Sequence, residues 1–542
     1  MFASELVVIL AAAVLVCSLA ARRTGLPAPV LLLACGIGLG VIPALAQVQL
    51  PPEAVLFLFL PVLLYWESIT ISLREIRSNL RGIVLMGTVL VAVTAWAVAA
   101  AAHALGLPWG PAWVLGAAIA PTDATAVAAV ARVLPHRYLT LLRAESLIND
   151  GTALVIYGVA VAVTAGTEQL DALEISGLFL LAYAGGIAAG ALVAWIGFHV
   201  RRKVQDPLLG NVVTILSPFT AFVLAESIEA SGVLAVVICG LAMSQLGPRV
   251  VRAETRRQGE AFWSLATFLL NGALFVLVGL ELPRAVSELS GGEVAAGLGA
   301  VAVVTVVLVA VRLLYLFGVT YLIRLVDRSE SQRRRRVSDR ARVLSGLAGF
   351  RGAVSLAAAL AVPQLTAAGA PFPNRNLIVF VATGVVVVTL VVQAPLLPAV
   401  ARWARLPRDA GRRREELHLA ESSADAEALA ALPQLAEELG TDPDVVAELR
   451  TEYERRLEVL NAVADDDDGG SRGQARAAAY RELGLALLAR KRDTVIRLRD
   501  ERRIDDTVLL RLQARLDLEE VRLSAPHEPG GGAGRVDGGK PE

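Results

Sequence analysis

The stretch RAESLINDGTALVIY, residues 143–157, places Glu145, Ser146, Asn149 and Asp150 within two helical turns of an otherwise apolar segment. The surrounding apolar run is long enough to cross a bilayer. A charged carboxylate at the bilayer centre costs at least about 2.5–3.5 kcal/mol on insertion scales, so it needs a partner or a function. The groups that meet these carboxylates must come from other parts of the chain.

The composition as a whole is that of a polytopic membrane protein. The chain has 542 residues, of which 55% are hydrophobic, and its mean hydropathy is +0.59, too apolar for a soluble protein of this size. Its 51 basic and 51 acidic residues cancel, and no nucleic-acid partner is expected. The three cysteines and five histidines lack metal-ligand spacing, so neither a resident metal nor a cofactor is expected.

Thirteen segments have the length and apolar character of membrane spans, which need about 17–25 residues. The first precedes Arg22 and Arg23 and lacks a positive leader, so we interpret it as a retained span rather than a signal peptide. The predicted spans are 5–21, 27–43, 54–73, 82–103, 110–131, 139–163, 176–199, 210–226, 232–247, 261–281, 295–324, 342–362 and 376–401.

The loops between these spans alternate in charge. Those that follow odd-numbered spans contain 23 basic residues, whereas those that follow even-numbered spans contain only Arg284 and Arg375. Because basic loops stay on the cytoplasmic side, the pattern predicts an outside N-terminus and a cytoplasmic C-terminus. Only three of the basic residues are Lys, which with the Ala-rich composition suggests a bacterial chain and hence the plasma membrane.

The character of the chain changes near residue 405, where a charged region rich in Ala, Leu, Glu and Arg begins. Helical periodicity appears at 421–439, 443–463, 472–500 and 505–523. The predicted domains are therefore a transmembrane domain, 1–404, a helical cytoplasmic domain, 405–524, and a disordered tail, 525–542.

With the loop charges set aside, we interpret five charged residues in four of the spans as buried: Asp123, Glu145, Asp150, Arg312 and Arg351. Asp123, Asp150 and Arg351 each lie about 9–10 residues from the cytoplasmic end of their span, or about 13–16 Å deep at 1.5 Å per residue. Half of a hydrocarbon core of about 30 Å is a similar depth. The charges are predicted to share one polar centre; the alternative is scattered structural ion pairs.

Two spans carry signals of an interrupted helix. In span 5, GAAIAPTDATAVAAV, Pro121 removes a backbone donor next to Thr122 and Asp123. In span 12, GLAGFRGAVSLAAAL, glycines surround Arg351, which could neutralise free helix ends. Broken helices of this kind leave carbonyl groups able to coordinate a cation in transporters, although a simple proline kink remains the alternative for span 5.

Span 6 presents two polar faces, with Glu145 and Asn149 on one and Ser146 and Asp150 on the neighbouring one. We assign the Ser146/Asp150 face to ligand binding and pair Glu145 with Arg312, because an unpaired buried Arg would be heavily penalised. The sequence alone permits other pairings.

Five motifs in order resemble the first family of monovalent cation/proton antiporters, which includes bacterial and eukaryotic sodium/proton exchangers. The resemblance covers about residues 5–403, and its motifs are APTDATAVAAV, ESLINDGTA, LFVLVGLEL, RLLYLFGVT and GFRGAVSLA on spans 5, 6, 10, 11 and 12. It implies an all-α polytopic fold of thirteen transmembrane helices in inverted repeats, with two crossing broken helices at spans 5 and 12. It also implies a homodimer with separate core and dimer-forming domains.

The resemblance also implies roles for the polar residues of the spans. Thr122, Asp123, Ser146 and Asp150 would form the Na⁺ site with Asn149 beside it. Glu145 and Arg312 would be the structural ion pair. Arg351 would compensate charge at the second broken helix. Cytoplasmic tails in this family are often regulatory, but the tail here carries no motif that assigns its role.

The predicted function is secondary antiport and not enzymatic catalysis. A monovalent cation, Na⁺ by resemblance with Li⁺ or K⁺ as alternatives, would exchange for H⁺ by alternating access in pH and sodium homeostasis. Asn149 stands where electrogenic relatives carry a second aspartate, which favours an electroneutral exchange of one for one. Two alternatives stay open: a cation channel or ion-regulated sensor on the same fold, and an intramembrane aspartyl protease, whose Tyr-Asp and Gly-x-Gly-Asp signatures are absent.

Overall fold

The structure is a computed structural model that describes all residues except 1, 47–51, 124–135, 167–171, 248–249, 288, 327–337, 406–409, 466–470, 502, 504–505 and 525–542. The chain divides into two compact units, Met1–Pro407 and Arg408–Glu542. Throughout the described residues the regular structure is helical, apart from an isolated bridge between Leu365 and Pro371. The predicted all-helical class is confirmed.

The first unit contains helices α1 to α17. In chain order they are α1 (Phe2–Thr24), α2 (Ala28–Gly40), α3 (Pro43–Ala46), α4 (Pro52–Thr70), α5 (Leu73–Leu85), α6 (Val91–Ala104), α7 (Trp109–Ile119), α8 (His136–Ala165), α9 (Ala172–Lys203), α10 (Pro207–Glu226), α11 (Gly232–Leu246), α12 (Ala253–Ser287), α13 (Gly291–Val326), α14 (Asp339–Leu347), α15 (Ala353–Leu360), α16 (Arg375–Val388) and α17 (Ala394–Ala404).

Eight of the described helices are long and apolar enough to cross a membrane, and they coincide with predicted spans 1, 4, 6, 7, 8, 10, 11 and 13. Shorter apolar helices coincide with spans 2, 3, 5 and 9. Span 12 is not one helix but the pair α14 and α15, and residues 124–131 of span 5 lie outside the described residues. The chain is a multi-pass helical membrane protein, while the count of thirteen spans stays a prediction.

Some predicted boundaries are wrong because hydropathy does not detect polar helical turns. The fourth membrane-spanning helix was predicted to begin at residue 82, but α5 begins at Leu73, where the Ser72 hydroxyl accepts a hydrogen bond from the Glu75 N–H at 3.4 Å. A kink at Asn79 (φ −121°, ψ 15°) separates these capped, arginine-containing turns from the apolar part of the helix. The tenth span, predicted at 261–281, likewise extends in both directions as α12.

Among the described residues, two π-helical turns interrupt otherwise α-helical segments. One, Met86–Leu90, joins α5 to α6, and the other, Thr389–Gln393, joins α16 to α17. π turns inside α-helices are rare and occur frequently at functional sites. The first turn contacts α8, and the second contacts the chain between α14 and α15.

Close packing of helices occurs at glycines spaced four residues apart, a spacing that favours close helix packing in membranes. On α2, a Cβ added to Gly36 would lie 2.9 Å from the Gly279 Cα, and one added to Gly40 would lie 2.6 Å from the Leu280 carbonyl oxygen. On α9, a Cβ at Gly186 would lie 2.8 Å from the carbonyl oxygen of Ser231. At these glycines the backbone of α2 contacts the backbone of α12, and the backbone of α9 contacts the start of α11.

The second unit contains four helices that pack as two pairs, α18 with α19 and α20 with α21. They are α18 (Ala410–Leu439), α19 (Pro443–Asp465), α20 (Ser471–Asp500) and α21 (Asp506–Ser524). Lys491 pairs with Glu519 at 2.9 Å, and Arg492 pairs with both Asp517 and Glu520. The predicted tail, 525–542, lies outside the described residues.

The crossing of α2 and α12 predicts that replacing two different glycines of α2 by alanine has different effects on stability. Gly36→Ala should lower the free energy of unfolding by about 1–3 kcal/mol, because the new methyl group has no space at the crossing. Gly38→Ala is the matched control, since nothing lies within 4 Å of its added Cβ. Thermal unfolding of the detergent-purified variants measures the difference, and equal stability of the two would contradict the packing argument.

Candidate functional site

A non-helical segment, residues 120–123, follows the end of α7 at Ile119 and is called the first interruption below, while residues 124–135 lie outside the described residues. Pro121 has no N–H to continue the helical hydrogen bonds. Its carbonyl oxygen accepts a hydrogen bond from the Ser355 hydroxyl at 3.3 Å, and the Asp123 N–H donates to the Phe350 carbonyl at 2.8 Å. The freed backbone groups therefore find partners on a distant segment of the chain.

That distant segment is the second interruption, residues 348–352 between α14 and α15. The π turn Thr389–Gln393 braces it: Gln393 Nε2 donates to the Leu347 carbonyl at 2.5 Å, and the Arg351 N–H donates to Thr389 Oγ1 at 3.3 Å. A Cβ on Gly352 would lie 2.5 Å from Asp123 Cγ. The two interruptions thus touch each other.

Helix α8 presents its polar residues to the first interruption. The Ser146 hydroxyl donates to the Thr122 carbonyl at 2.7 Å, and Asn149 Nδ2 donates to Thr122 Oγ1 at 2.6 Å. Both side chains are buried, as is Asp150, which is 3% exposed. Thr122, Asp123, Ser146, Asn149 and Asp150, which the sequence nominated as a group, therefore lie around the contact between α8 and the two interruptions.

Asp150 lies among other carboxylates. It interacts electrostatically with Glu67 of α4 and with Asp123. Buried Oδ1 of Asp150 and Oε1 of Glu67 accept no hydrogen bond from the part of the chain that the structure describes. Oxygen atoms of this kind are available to a proton or to a hard cation.

The sequence analysis missed Glu67. It lies in the segment LLYWESIT, inside predicted span 3, so the criterion that selected the other charged residues of the spans would also have found it. Its carboxylate interacts electrostatically with Asp123 and Arg143 as well as with Asp150. Glu67 is therefore a further acidic group of the site.

Glu145 contacts α13 through Arg312. Its Oε1 lies 2.7 Å from Arg312 Nη1, and both side chains are about 95% buried. Arg312 Nε also donates to the Ser345 carbonyl at 3.1 Å, in the last turn of α14. A cation near a helix C-terminus is favourable because carbonyl groups there lack intrahelical partners.

Arg351 lies within the second interruption, where Nη1 donates to the Gly349 carbonyl at 3.2 Å. Its guanidinium is buried and interacts electrostatically with Glu145 and Arg312. A small cavity separates these groups from the π turn Met86–Leu90. Its polar lining consists of Thr94, Thr122, Glu145, Asn149, Arg312 and Arg351.

The arrangement provides carboxylate, hydroxyl and carbonyl oxygens in a buried environment. In the described ranges no three His, Cys, Asp or Glu side chains converge as a metal site. Oxygen atoms of these kinds are the ligands that hard monovalent cations bind.

Comparisons with known proteins identify the family of the chain. A family model described as "Sodium/hydrogen exchanger, transmembrane" matches residues 9–403. The uncharacterized Na⁺/H⁺ exchanger Rv2287 of Mycobacterium tuberculosis is 46% identical over 530 residues, 97% of each chain. The sodium, potassium, lithium and rubidium/H⁺ antiporter of Bacillus pumilus is 30% identical over 388 residues, covering 69% of this chain and 58% of that protein.

The fold is similar to that of a solved antiporter. The structure of the sodium proton antiporter MjNhaP1 from Methanocaldococcus jannaschii at pH 8 matches with a TM-score of 0.56 and 18% identity, covering 74% of this chain and 99% of that chain. The family resemblance seen in the motifs is confirmed. Because the family model spans nearly all of the first unit, the chain belongs to the sodium/hydrogen exchanger family and is a cation/proton antiporter, not an enzyme.

Proposed function

We propose that this antiporter exchanges Na⁺ for H⁺, one for one, by alternating access in the bacterial plasma membrane, and so serves pH and sodium homeostasis. The observation that carries the proposal is the buried Asp150 beside Thr122 and Ser146 at the contact of the two interruptions. A proton on Asp150 removes the negative charge that a cation needs. The two ions therefore exclude each other at one carboxylate.

The proposed Na⁺ ligands are oxygens of Asp150, Asp123, Ser146 and Thr122, with Asn149 holding Thr122 in place. The hydrogen bonds among Ser146, Asn149 and Thr122 support this grouping. Li⁺ and K⁺ are the alternative cations, since the Bacillus pumilus relative is named for sodium, potassium, lithium and rubidium. All three prefer oxygen ligands.

The proposed architecture has thirteen transmembrane helices in inverted repeats, with broken helices that cross at spans 5 and 12. The touching interruptions support the crossing. We further propose a homodimer in which the N-terminus lies outside and the second unit lies in the cytoplasm. The second unit would tune transport rather than perform it, because every candidate ligand precedes residue 403. The alternating loop charges support the orientation.

Asp150→Asn should abolish exchange in everted membrane vesicles, because the amide neither carries the proton nor offers a negative charge to the cation. Asp206→Asn is the matched control: Asp206 caps α10 by accepting from the Leu209 N–H, and Asn caps a helix equally well. Robust exchange by Asp150→Asn at a normal protein level would disprove the assignment.

Electroneutral exchange predicts that the sodium gradient which nulls proton flux in proteoliposomes does not change when a potassium–valinomycin potential is imposed. In this mechanism Asp150 binds either one proton or one cation, while the protonation of Asp123 does not change during the cycle. If Asp123 also released a proton, each turnover would move one net charge, worth about 2.3 kcal/mol per 100 mV. A null point that shifts with potential would reject the one-for-one mechanism.

We propose that Glu145 and Arg312 act as a structural ion pair rather than as ion ligands. Removal of one partner, in Glu145→Gln or Arg312→Gln, should cost roughly 3–5 kcal/mol because it strands a buried charge. The double variant should lose less stability than the sum of the two single variants. Thermal unfolding of all four proteins completes the cycle, and additive losses would argue against the pair.

A further inference from the structure

Hydroxyl groups hydrogen-bond to the π turn Met86–Leu90 and to the last residues of α5 just before it. The Thr88 hydroxyl donates to the Val84 carbonyl at 2.7 Å, the Tyr315 hydroxyl to the Leu85 carbonyl at 2.8 Å, and the Thr152 hydroxyl to the Gly87 carbonyl at 2.7 Å. The i→i+5 register of a π turn widens the helix and disturbs its normal carbonyl pairing. Side-chain donors satisfy these groups inside the bilayer.

Two of these donors come from the helices that carry the polar site. Thr152 lies on α8, two residues after Asp150, and Tyr315 lies on α13, one turn after Arg312. The Thr152 hydroxyl also lies 2.5 Å from the Tyr183 hydroxyl of α9. Thr152 of α8 therefore binds the π turn itself, and Tyr315 of α13 binds the residue that immediately precedes the turn.

The backbone of the π turn also packs directly on the site helix. A Cβ added to Gly87 would lie 2.6 Å from Ile148 Cγ2 and 3.4 Å from the Asn149 backbone nitrogen. Ile148 stands between Ser146 and Asn149, both of which contact Thr122. A displacement of Gly87 would therefore remove the support behind these two side chains.

We propose that the π turn positions the cation site, and that Tyr315 and Thr152 are the positioning residues that hold this turn. The inference rests on the proposed function of Asp150. Their two hydroxyl groups bind carbonyls two residues apart and fix the turn from α13 and from α8. Reversion to an α-helical turn would change the register by one residue, a rotation of about 100°, and would move Gly87 away from Ile148.

The test removes each hydroxyl without changing the shape of the side chain. In Tyr315→Phe and Thr152→Val, the apparent KM for Na⁺ should rise about two- to tenfold, the change expected for one lost hydrogen bond, while the maximal rate stays within about twofold. The double variant should raise KM by less than the product of the single effects, because both bonds hold one turn. Exchange is measured in proteoliposomes with reconstituted full-length protein.

The matched controls lie on the same helices. Tyr321→Phe removes a hydroxyl from an exposed ring of α13, and Thr164→Val removes a hydroxyl of α8 that donates to the Ala160 carbonyl of the same helix. Both controls should keep the wild-type KM. A rise in KM in the controls as large as in the test variants would overturn the proposal.

Hydrogen–deuterium exchange gives a readout that does not depend on transport. Faster exchange in peptides covering 84–91 and 145–152 is expected in Tyr315→Phe and Thr152→Val but not in the controls. If the wild-type protein does not transport Na⁺ against H⁺, the proposed function is refuted. If the protein is active but both test variants keep the wild-type KM and the wild-type rate of amide hydrogen exchange, the positioning role is refuted. A loss of thermal stability with unchanged KM would likewise show a merely structural role.

Discussion

The hydrogen bond from the Asp123 N–H to the Phe350 carbonyl joins two helix interruptions, and the polar centre of the first unit depends on this contact. Water cannot satisfy backbone groups in the hydrocarbon core, so each interruption must find protein partners for the groups it frees. Ser355, Ser146 and Gln393 supply them. The side chains that satisfy the backbone thereby assemble around Asp150, so the stability of the interruptions and the construction of the site have the same cause.

Helix α8 holds two carboxylates in opposite electrostatic settings. Glu145 is neutralised by Arg312 at 2.7 Å, whereas the charged neighbours of Asp150 are the carboxylates Glu67 and Asp123. A position surrounded by negative charge attracts a cation or a proton, and a position that is already paired does not. The difference arises from the partners, because residues five positions apart on one helix face different neighbours.

The sequence predicted the helical membrane class and the charged residues of the site, since both depend on local composition and on the cost of burying charge. Glu67 was not assigned to the site, although it lies inside predicted span 3 and its charge meets the same criterion. The π turns and the hydrogen bond from Arg312 to the Ser345 carbonyl could not have been predicted this way. They depend on how distant helices fit together, and neither hydropathy nor residue spacing reports that fit.

The crossing of α2 and α12 has a mechanical consequence for a carrier that alternates between two states. Packed helices usually slide past one another by small changes in side-chain rotamers at their interface. At Gly36 and Gly279 no side chain lies between the backbones, and axial sliding would bring a residue with a Cβ into the crossing. We therefore expect these two helices to translate together, so that in the proposed alternating-access cycle the shear would be absorbed at interfaces lined by deformable side chains.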